Sequence, residues 1–437
     1  MSSPKLALAV LLACPALLPA AVIGTNPSAL PLTAERIAAL PAAEQPAWRD
    51  YLARSMRQRA ADQQSLADEI KTHDVTTLLV PPETHNVGGR LLDRPTAWYA
   101  TADARRMADN VASFQTPAGG WSKNFDAADH ARRPGEGYSH DNVSRFLAPG
   151  DQDAPADPHW NYIGTFDNDA TTTQLRFLAQ VAAASDEKTG AAWRAAFARG
   201  LDYIFASQYP NGGWPQVYPL DGGYHDTITY NDGAMVHVLE LLRDTAAGLD
   251  EFAFVPPETR ARASAALQRG LGCVLATQIV TEGRRTVWCQ QHDALTLAPA
   301  SARNYEMPSQ SGSESAELML FLMQVPDPGP RIVAAVHAAA AWFDKTAQRG
   351  FTYKFAPDGT GRALLPEPGA GPLWPRYSEI GTDRAIFGDR DKSIHDVLGE
   401  ISQERRNGYQ WFSDTPQRAL EHYEKWAQAH PEKAKRA

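Results

Sequence analysis

Along most of the chain, alanine- and leucine-rich segments place apolar side chains three and four residues apart, and loops crowded with Gly, Pro, Trp and Asn separate them. That spacing is the period of a helix with one buried face. It predicts helices over 102–114, 170–184, 191–208, 233–245, 258–278, 315–324, 331–348, 394–405 and 417–429. Thr415-Pro416 supplies a cap and a first-turn proline for the last of these. An earlier stretch, 33–71, is helical in pattern but strongly charged, with Trp48, Tyr51, Leu52, Met56 and Leu66 as its apolar contacts. Alternating β patterns are few and short, so the chain reads as mainly α.

The loops repeat as well. Gln115-Thr116-Pro117-Ala118-Gly119-Gly120-Trp121 returns as Gln208-Tyr209-Pro210-Asn211-Gly212-Gly213-Trp214, each copy at the end of a helix, with a degenerate third copy from Gln278 to Trp288. Self-similarity at one place in successive helical units predicts helix hairpins around an axis, closing into an α/α toroid with loops at one end. The glycines permit the sharp turn. The tryptophans are either plugs between helices or flat platforms for a sugar ring, and Trp214 is the candidate platform.

Composition sets the compartment and excludes some partners. Residues 1–21 carry one cation, Lys5, an apolar run and a small-residue end, the pattern of a cleaved secretory signal peptide. Cys14 also permits a lipoprotein anchor. Residues 22–94 then read as an N-terminal helical cap, and 95–437 as the toroid, entered through Val80-Pro81-Pro82 and Gly88-Gly89. No later apolar run spans a bilayer, so a secreted or periplasmic monomer without membrane attachment is expected. A net charge of −9 argues against nucleic acid. Cys273 and Cys289 allow a disulfide without requiring one.

Candidate chemistry sits in the loops. Residues 303–315 concentrate Arg303, Glu306, Glu314 and several serines ahead of an apolar helix, with Pro308 and Gly312 interrupting any continuous helix and Ser313 or Ser315 placed to cap it. Asp167-Asn168-Asp169 and Asn231-Asp232 stand at two further helix starts. One acid would serve as a cap; this density of hard oxygen donors suits calcium. Asp226 is a second candidate in the latter stretch. Arg376, Arg384 and Arg390 are interleaved with Asp and Gly, either a surface ion-pair network or forks for carboxylates.

The segments QTPAGGWSKN, DNDATTTQ, QYPNGGWPQ, YHDTITYND, RNYEMPSQSGSES and PLWPRYSEIGTDRAIFGDRD, in this order, resemble the family 10 polysaccharide lyases, bacterial pectate lyases. The resemblance runs from about Phe114 to Trp411 and leaves out the N-terminal cap. It implies an (α/α)3 toroid-like fold that cleaves polygalacturonate, de-esterified pectin, by calcium-assisted anti β-elimination. It further implies Arg303 as the base, Asp167 and Asp232 as Ca2+ ligands, Arg376 and Arg390 as carboxylate-binding groups, and Lys123 as a substrate contact. Asn168, in the same motif as Asp167, is placed with the substrate-binding group.

Such a base has to lose a proton that a free guanidinium keeps, so Arg303 is expected to be poised by burial and neighbouring cations. No general acid is evident beside it. Other readings compete: a glycoside hydrolase using two of Asp167, Asp232, Glu306 and Glu314, or a non-catalytic binder of acidic polysaccharide. A terpenoid cyclase shares the Gly-Gly-Trp repeats but requires an acidic DxDD motif that the chain lacks.

Overall fold

The computed structural model describes residues 22–84 and 87–432. The expected signal peptide and Cys14 therefore lie outside the described residues. Helices run over Ala34–Ala38 (α1), Gln45–Thr72 (α2), Val87–Leu92 (α3), Ala102–Ser113 (α4), Thr172–Ala183 (α5) and Ala191–Ser207 (α6). They continue with Ala234–Ala247 (α7), Pro257–Thr277 (α8), Ser313–Met323 (α9), Pro330–Thr346 (α10), Gln403–Gly408 (α11) and Thr415–Ala429 (α12). The strands are short and antiparallel, in one three-stranded sheet and otherwise in pairs.

The helices form an α/α toroid. Those buried nearly all round, α5, α7 and α9, touch one another in turn about the axis, and α4, α6, α8 and α10 back them with one face open. A helix apolar on all sides belongs in the interior of a bundle, whereas the backing helices keep a polar stripe for water. Each inner helix follows a long loop and starts at the same end of the toroid. The cleft forms there.

The repeated loops hold the backing helices together. Gln115 Nε2 donates to the carbonyls of Gly119 at 2.8 Å and Ala196 at 2.9 Å, the latter on α6. Gln208 does the same to Gly212 and to Ala266 of α8, and Gln278 to Thr286 and to Ala335 of α10. Each glutamine therefore closes its own turn and ties down the next backing helix. At Gly119 and Gly212 the backbone is left-handed, and a Cβ would lie 2.5 Å and 2.2 Å from the carbonyl oxygens of Arg199 and Arg269. Only glycine fits so close an approach.

The tryptophans plug the frame. Trp121, Trp214, Trp288 and Trp374 are buried, and their indole N–H groups donate to the carbonyls of Val111, Ile204, Val274 and Phe343. Trp214 thus offers no face to a sugar, which corrects its expected role as a platform. With its apolar surface and its one donor both satisfied inside, it is framework.

Other expectations shift locally. Residues 394–405 are not one helix: Ser393–His395 pairs with Phe387–Gly388 and with Gly24–Thr25, and helix resumes only at α11. A partner strand far away in sequence overrides the local period. Gly312, not a serine, stands at the cap of α9. Ser315 instead brackets Trp288, accepting from its amide and donating to its carbonyl. Likewise α12 starts at Thr415 itself, with Asp414 at the cap. On α2, Trp48 and Tyr51 pack against Tyr209, within the same core as the toroid, while Met56 faces solvent. Cys273 and Cys289 are buried and unbridged.

Candidate active site

The inner helices α5 and α7 are each preceded by one tight turn, 167–169 and 231–233. Both turns carry a left-handed residue in the middle, Asn168 and Asp232, each with φ 50°. Asn and Asp tolerate that conformation better than other residues with a Cβ. In this shared frame Asp167 occupies the place of Asn231, and Asn168 that of Asp232. Acid and amide are exchanged between the two turns, so their side chains offer oxygens from both sides of one space.

That space is a cleft of about 220 Å³, lined by Lys123, Asn124, Tyr162, Asp167, Asn168, Gln216, Tyr224, Asn231, Asp232, Gln291, Ala302, Arg303 and Glu306. Lys123, Asp167, Asn168, Asp232 and Arg303, separated widely in sequence, are thereby brought together. Arg376 reaches the wall: its Nη2 donates to Glu314 Oε1 at 2.7 Å and to Asn231 Oδ1 at 3.0 Å, and lies 3.6 Å from Asp232 Oδ1. Arg390 does not line the cleft. It pairs with Glu404 and lies against the ring of Tyr305, 5.4 Å from its centroid, as Arg303 also does at 5.0 Å. Asp226 is also outside, buried as the acceptor for the backbone amides of Leu32 and Gly222.

Arg303 is held by its own turn. Glu306, three residues on, accepts from the Arg303 backbone amide and Nε, each at 3.0 Å, and from Nη2 at 2.6 Å. Tyr409 donates to the same carboxylate at 2.6 Å. Burial works against the guanidinium charge, but Glu306 outweighs it, and the group is held well above its ordinary pKa. The expected poising toward neutrality is therefore not found in the free protein, because the nearest charge is an anion. Burial likewise opposes ionisation of Glu306, and Arg303 with Tyr409 reverses this, bringing it down to about 2.

The two acids facing Arg303 differ. Asp167 forms a salt bridge to Lys123, whose ammonium sits 3.5 Å from the Tyr162 ring centroid, and accepts from Gln216 at 3.0 Å. Burial would raise its pKa, but Lys123 overrides it and the carboxyl is lowered. Asp232 is raised by burial and then by the charge of Asp167, with Arg376 opposing. A neighbouring anion whose charge is not fully offset is what a divalent cation would relieve. Among the described residues no cluster of three His, Cys, Asp or Glu side chains could hold a metal alone. Two carboxylates and the Asn168 amide are hard oxygen donors of the kind calcium takes, but they do not by themselves reach its ~6–8 oxygens.

Several lining groups carry no signal in the sequence. Tyr162 and Tyr224 share a hydrogen bond of 2.7 Å, and Tyr224 donates to Asp153. Both phenols are raised far above their usual range by burial. Glu306 and Glu314 were visible as acids, but their service as arginine partners was not. An Arg and a Glu three residues apart would be a legible pair on a helix; in a loop, only the fold brings them together.

The profile of the family described as pectic acid lyase matches residues 115–420. No curated protein matches the chain. Among solved structures, a family 10 polysaccharide lyase from Cellvibrio cellulosa is 32% identical, with a TM-score of 0.63 over 80% of this chain and 99% of that one. An aspartate-to-alanine mutant of a family 10 polysaccharide lyase from the same organism, in complex with trigalacturonic acid, has the same identity and TM-score over 79% and 98%. The toroid, the loops that build the cleft and these matches coincide along one stretch of chain, which belongs to the pectic acid lyase family of polysaccharide lyases.

Proposed function

We propose that the protein is an exported pectate lyase, monomeric, that cleaves polygalacturonate by β-elimination with Arg303 as the base. The observation that supports it best is the placement of Arg303 across one small cleft from Asp167 and Asp232. A galacturonate bound there would have its carboxylate toward the aspartate side and its C5 hydrogen toward the guanidine. Calcium, held by Asp167 and Asp232 with Asn168, would supply Lewis-acid stabilisation of the sugar carboxylate when bound.

The chain's own residues do the rest. Lys123 and Arg376 bring positive charge to the carboxylate, and fixed charge in a confined site is worth more than in water. Arg390, beyond Tyr305, would meet a neighbouring sugar. Arg303 accepts a proton only after giving one up; Glu306, its pKa held at about 2, does not take it, so the guanidinium proton has to leave to water as the sugar binds. The C5–H bond then breaks with its proton passing to Arg303. Its electron pair becomes the C4–C5 double bond, the C4–O bond breaks, and the departing oxygen takes a proton from water.

The hydrolase reading needs a carboxyl kept protonated for the leaving group. Glu306, held at about 2 against burial by Arg303 and Tyr409, does not serve, which leaves Asp232, raised by burial and by Asp167, as the acid on which the assay decides. The test is incubation with polygalacturonate, with calcium or with chelator. Ultraviolet absorbance of a conjugated double bond that rises with calcium and stops with chelator is the expected result. New reducing ends without absorbance would establish hydrolysis, and binding without cleavage a non-catalytic role.

A further inference from the structure

The turn that carries Arg303 is gripped from outside by a residue 277 positions away. The backbone of 302–306 curls so that the carbonyls of Arg303, Asn304 and Glu306 converge. The side-chain nitrogen of buried Asn26 sits at that point, 3.0, 2.9 and 3.1 Å from the three oxygens. Two N–H bonds serve three acceptors, one of them shared. Only the amide nitrogen can face these carbonyls, so the orientation of Asn26 is fixed by its partners.

Asn26 is itself held firmly. Its backbone amide donates to Lys392 at 2.8 Å, and the preceding strand, Gly24–Thr25, pairs with Ser393–His395. Three residues on, Ala29 donates to the side chain of Gln152, whose backbone amide donates to Asn304 Oδ1. The N-terminal segment, the 152 loop and the 390 loop thus meet around the 303–306 turn. Glu306 fixes the arginine from inside the turn, and Asn26 fixes the turn itself. Nothing else among the hydrogen bonds of the described residues donates a side-chain group to these three carbonyls.

We propose that Asn26 is a positioning residue for catalysis: by collecting the carbonyls of the 303–306 turn, it sets where the Arg303 guanidine stands relative to substrate. It does not itself line the cleft and acts through Arg303. A misplacement of about 1 Å in a reacting group can cost on the order of 100-fold in rate. Binding, by contrast, draws on Lys123, Arg376 and the aspartates, which Asn26 does not contact.

The test rests on the lyase reading above and uses the full-length protein, with Thr25→Ala, exposed in the strand just before Asn26, as a control. Wild-type protein that gives no absorbance rise defeats that reading; the inference about Asn26 stands or falls on the variants. Asn26→Ala is expected to lower kcat by about tenfold or more with KM within about twofold, and Asn26→Ser, which keeps one donor, to recover part of the loss. Thr25→Ala should match wild type. Unchanged kcat with a lower melting temperature would make Asn26 merely structural and overturn the proposal, as would a rise in KM in proportion to the loss. Failure of both Asn26 variants to fold would overturn it too, because the residue would then serve the whole fold rather than the turn.

Discussion

Two loop systems repeat around this toroid, and they do opposite things. At the ends of the backing helices, Gln115, Gln208 and Gln278 satisfy backbone carbonyls while Trp121, Trp214 and Trp288 fill the gaps behind them. At the starts of the inner helices, the 167–169 and 231–233 turns point acids and amides into open space. The first system keeps its glutamine and its tryptophan in all three copies, the third in degenerate form, and every indole is spent internally. The second varies from copy to copy, with Asp167-Asn168 answered by Asn231-Asp232. Repetition marks the frame, and divergence within a repeat marks the chemistry.

The comparison breaks most sharply at Arg303. Arg303→Lys keeps a cation beside Glu306 but loses the planar fork, so turnover on polygalacturonate should fall by about 10³-fold, on the order of 4 kcal/mol in the barrier, with the melting temperature little changed. Arginine to alanine would be a poorer choice, because it leaves the Glu306 charge buried and unpaired. Kinetics and thermal unfolding together check it; equal losses in both would erase the distinction between frame and cleft.

Trp214→Ala should act in reverse. Removing a buried indole costs about 3–5 kcal/mol of stability, read in a denaturant titration, while kcat per folded molecule stays close to wild type. A selective loss of substrate affinity would restore the platform role that burial denies it.

Acid probes the turn that carries Arg303. Glu306 has a folded pKa of about 2, below its ordinary value, so its stabilising contribution is present above about pH 4.5 and lost as pH falls through 2. Roughly 3 kcal/mol should disappear across that window. Melting temperature against pH should show the decline in wild type and a shallower one in Glu306→Gln.

The aspartates give the smallest expected effect. Asp232→Asn keeps the left-handed turn and removes one charge, so the calcium needed for half-maximal rate should rise about tenfold or more, on the order of 1.4 kcal/mol. Asp226→Asn should leave that calcium demand unchanged, since Asp226 lies outside the cleft. A titration of rate against free calcium separates them.

Much of the frame was legible from spacing alone, because helices that bury one face write a 3.6-residue period and identical stations repeat a motif. The third station, Gln278 to Trp288, was readable even in degenerate form. The period misled at 394–405, where pairing with a strand from residues 24–25 decides the conformation. In the cleft, Asp167, Asn168 and Asp232 were marked as polar clusters at helix starts, while Lys123 and the role of Arg303 were marked by the motifs of the family resemblance. Trp214 was misplaced because glycines and an aromatic look alike whether the ring faces a sugar or a helix. Glu306 as the clamp of Arg303 and Asn26 as the clamp of the turn left no local trace: the first pairing depends on how a loop curls, and the second spans 277 positions of sequence.

The central claim is that Arg303 faces the hydrogen at C5 of a galacturonate whose carboxylate lies toward Asp232. A crystal structure of the Asp167→Ala protein with trigalacturonate tests it most directly. The account predicts an Arg303 nitrogen within about 3.5 Å of one C5 carbon, with that sugar's carboxylate on the aspartate side of the cleft. A sugar bound with C5 turned away from Arg303, or Arg303 still closed on Glu306 and out of reach, would contradict it.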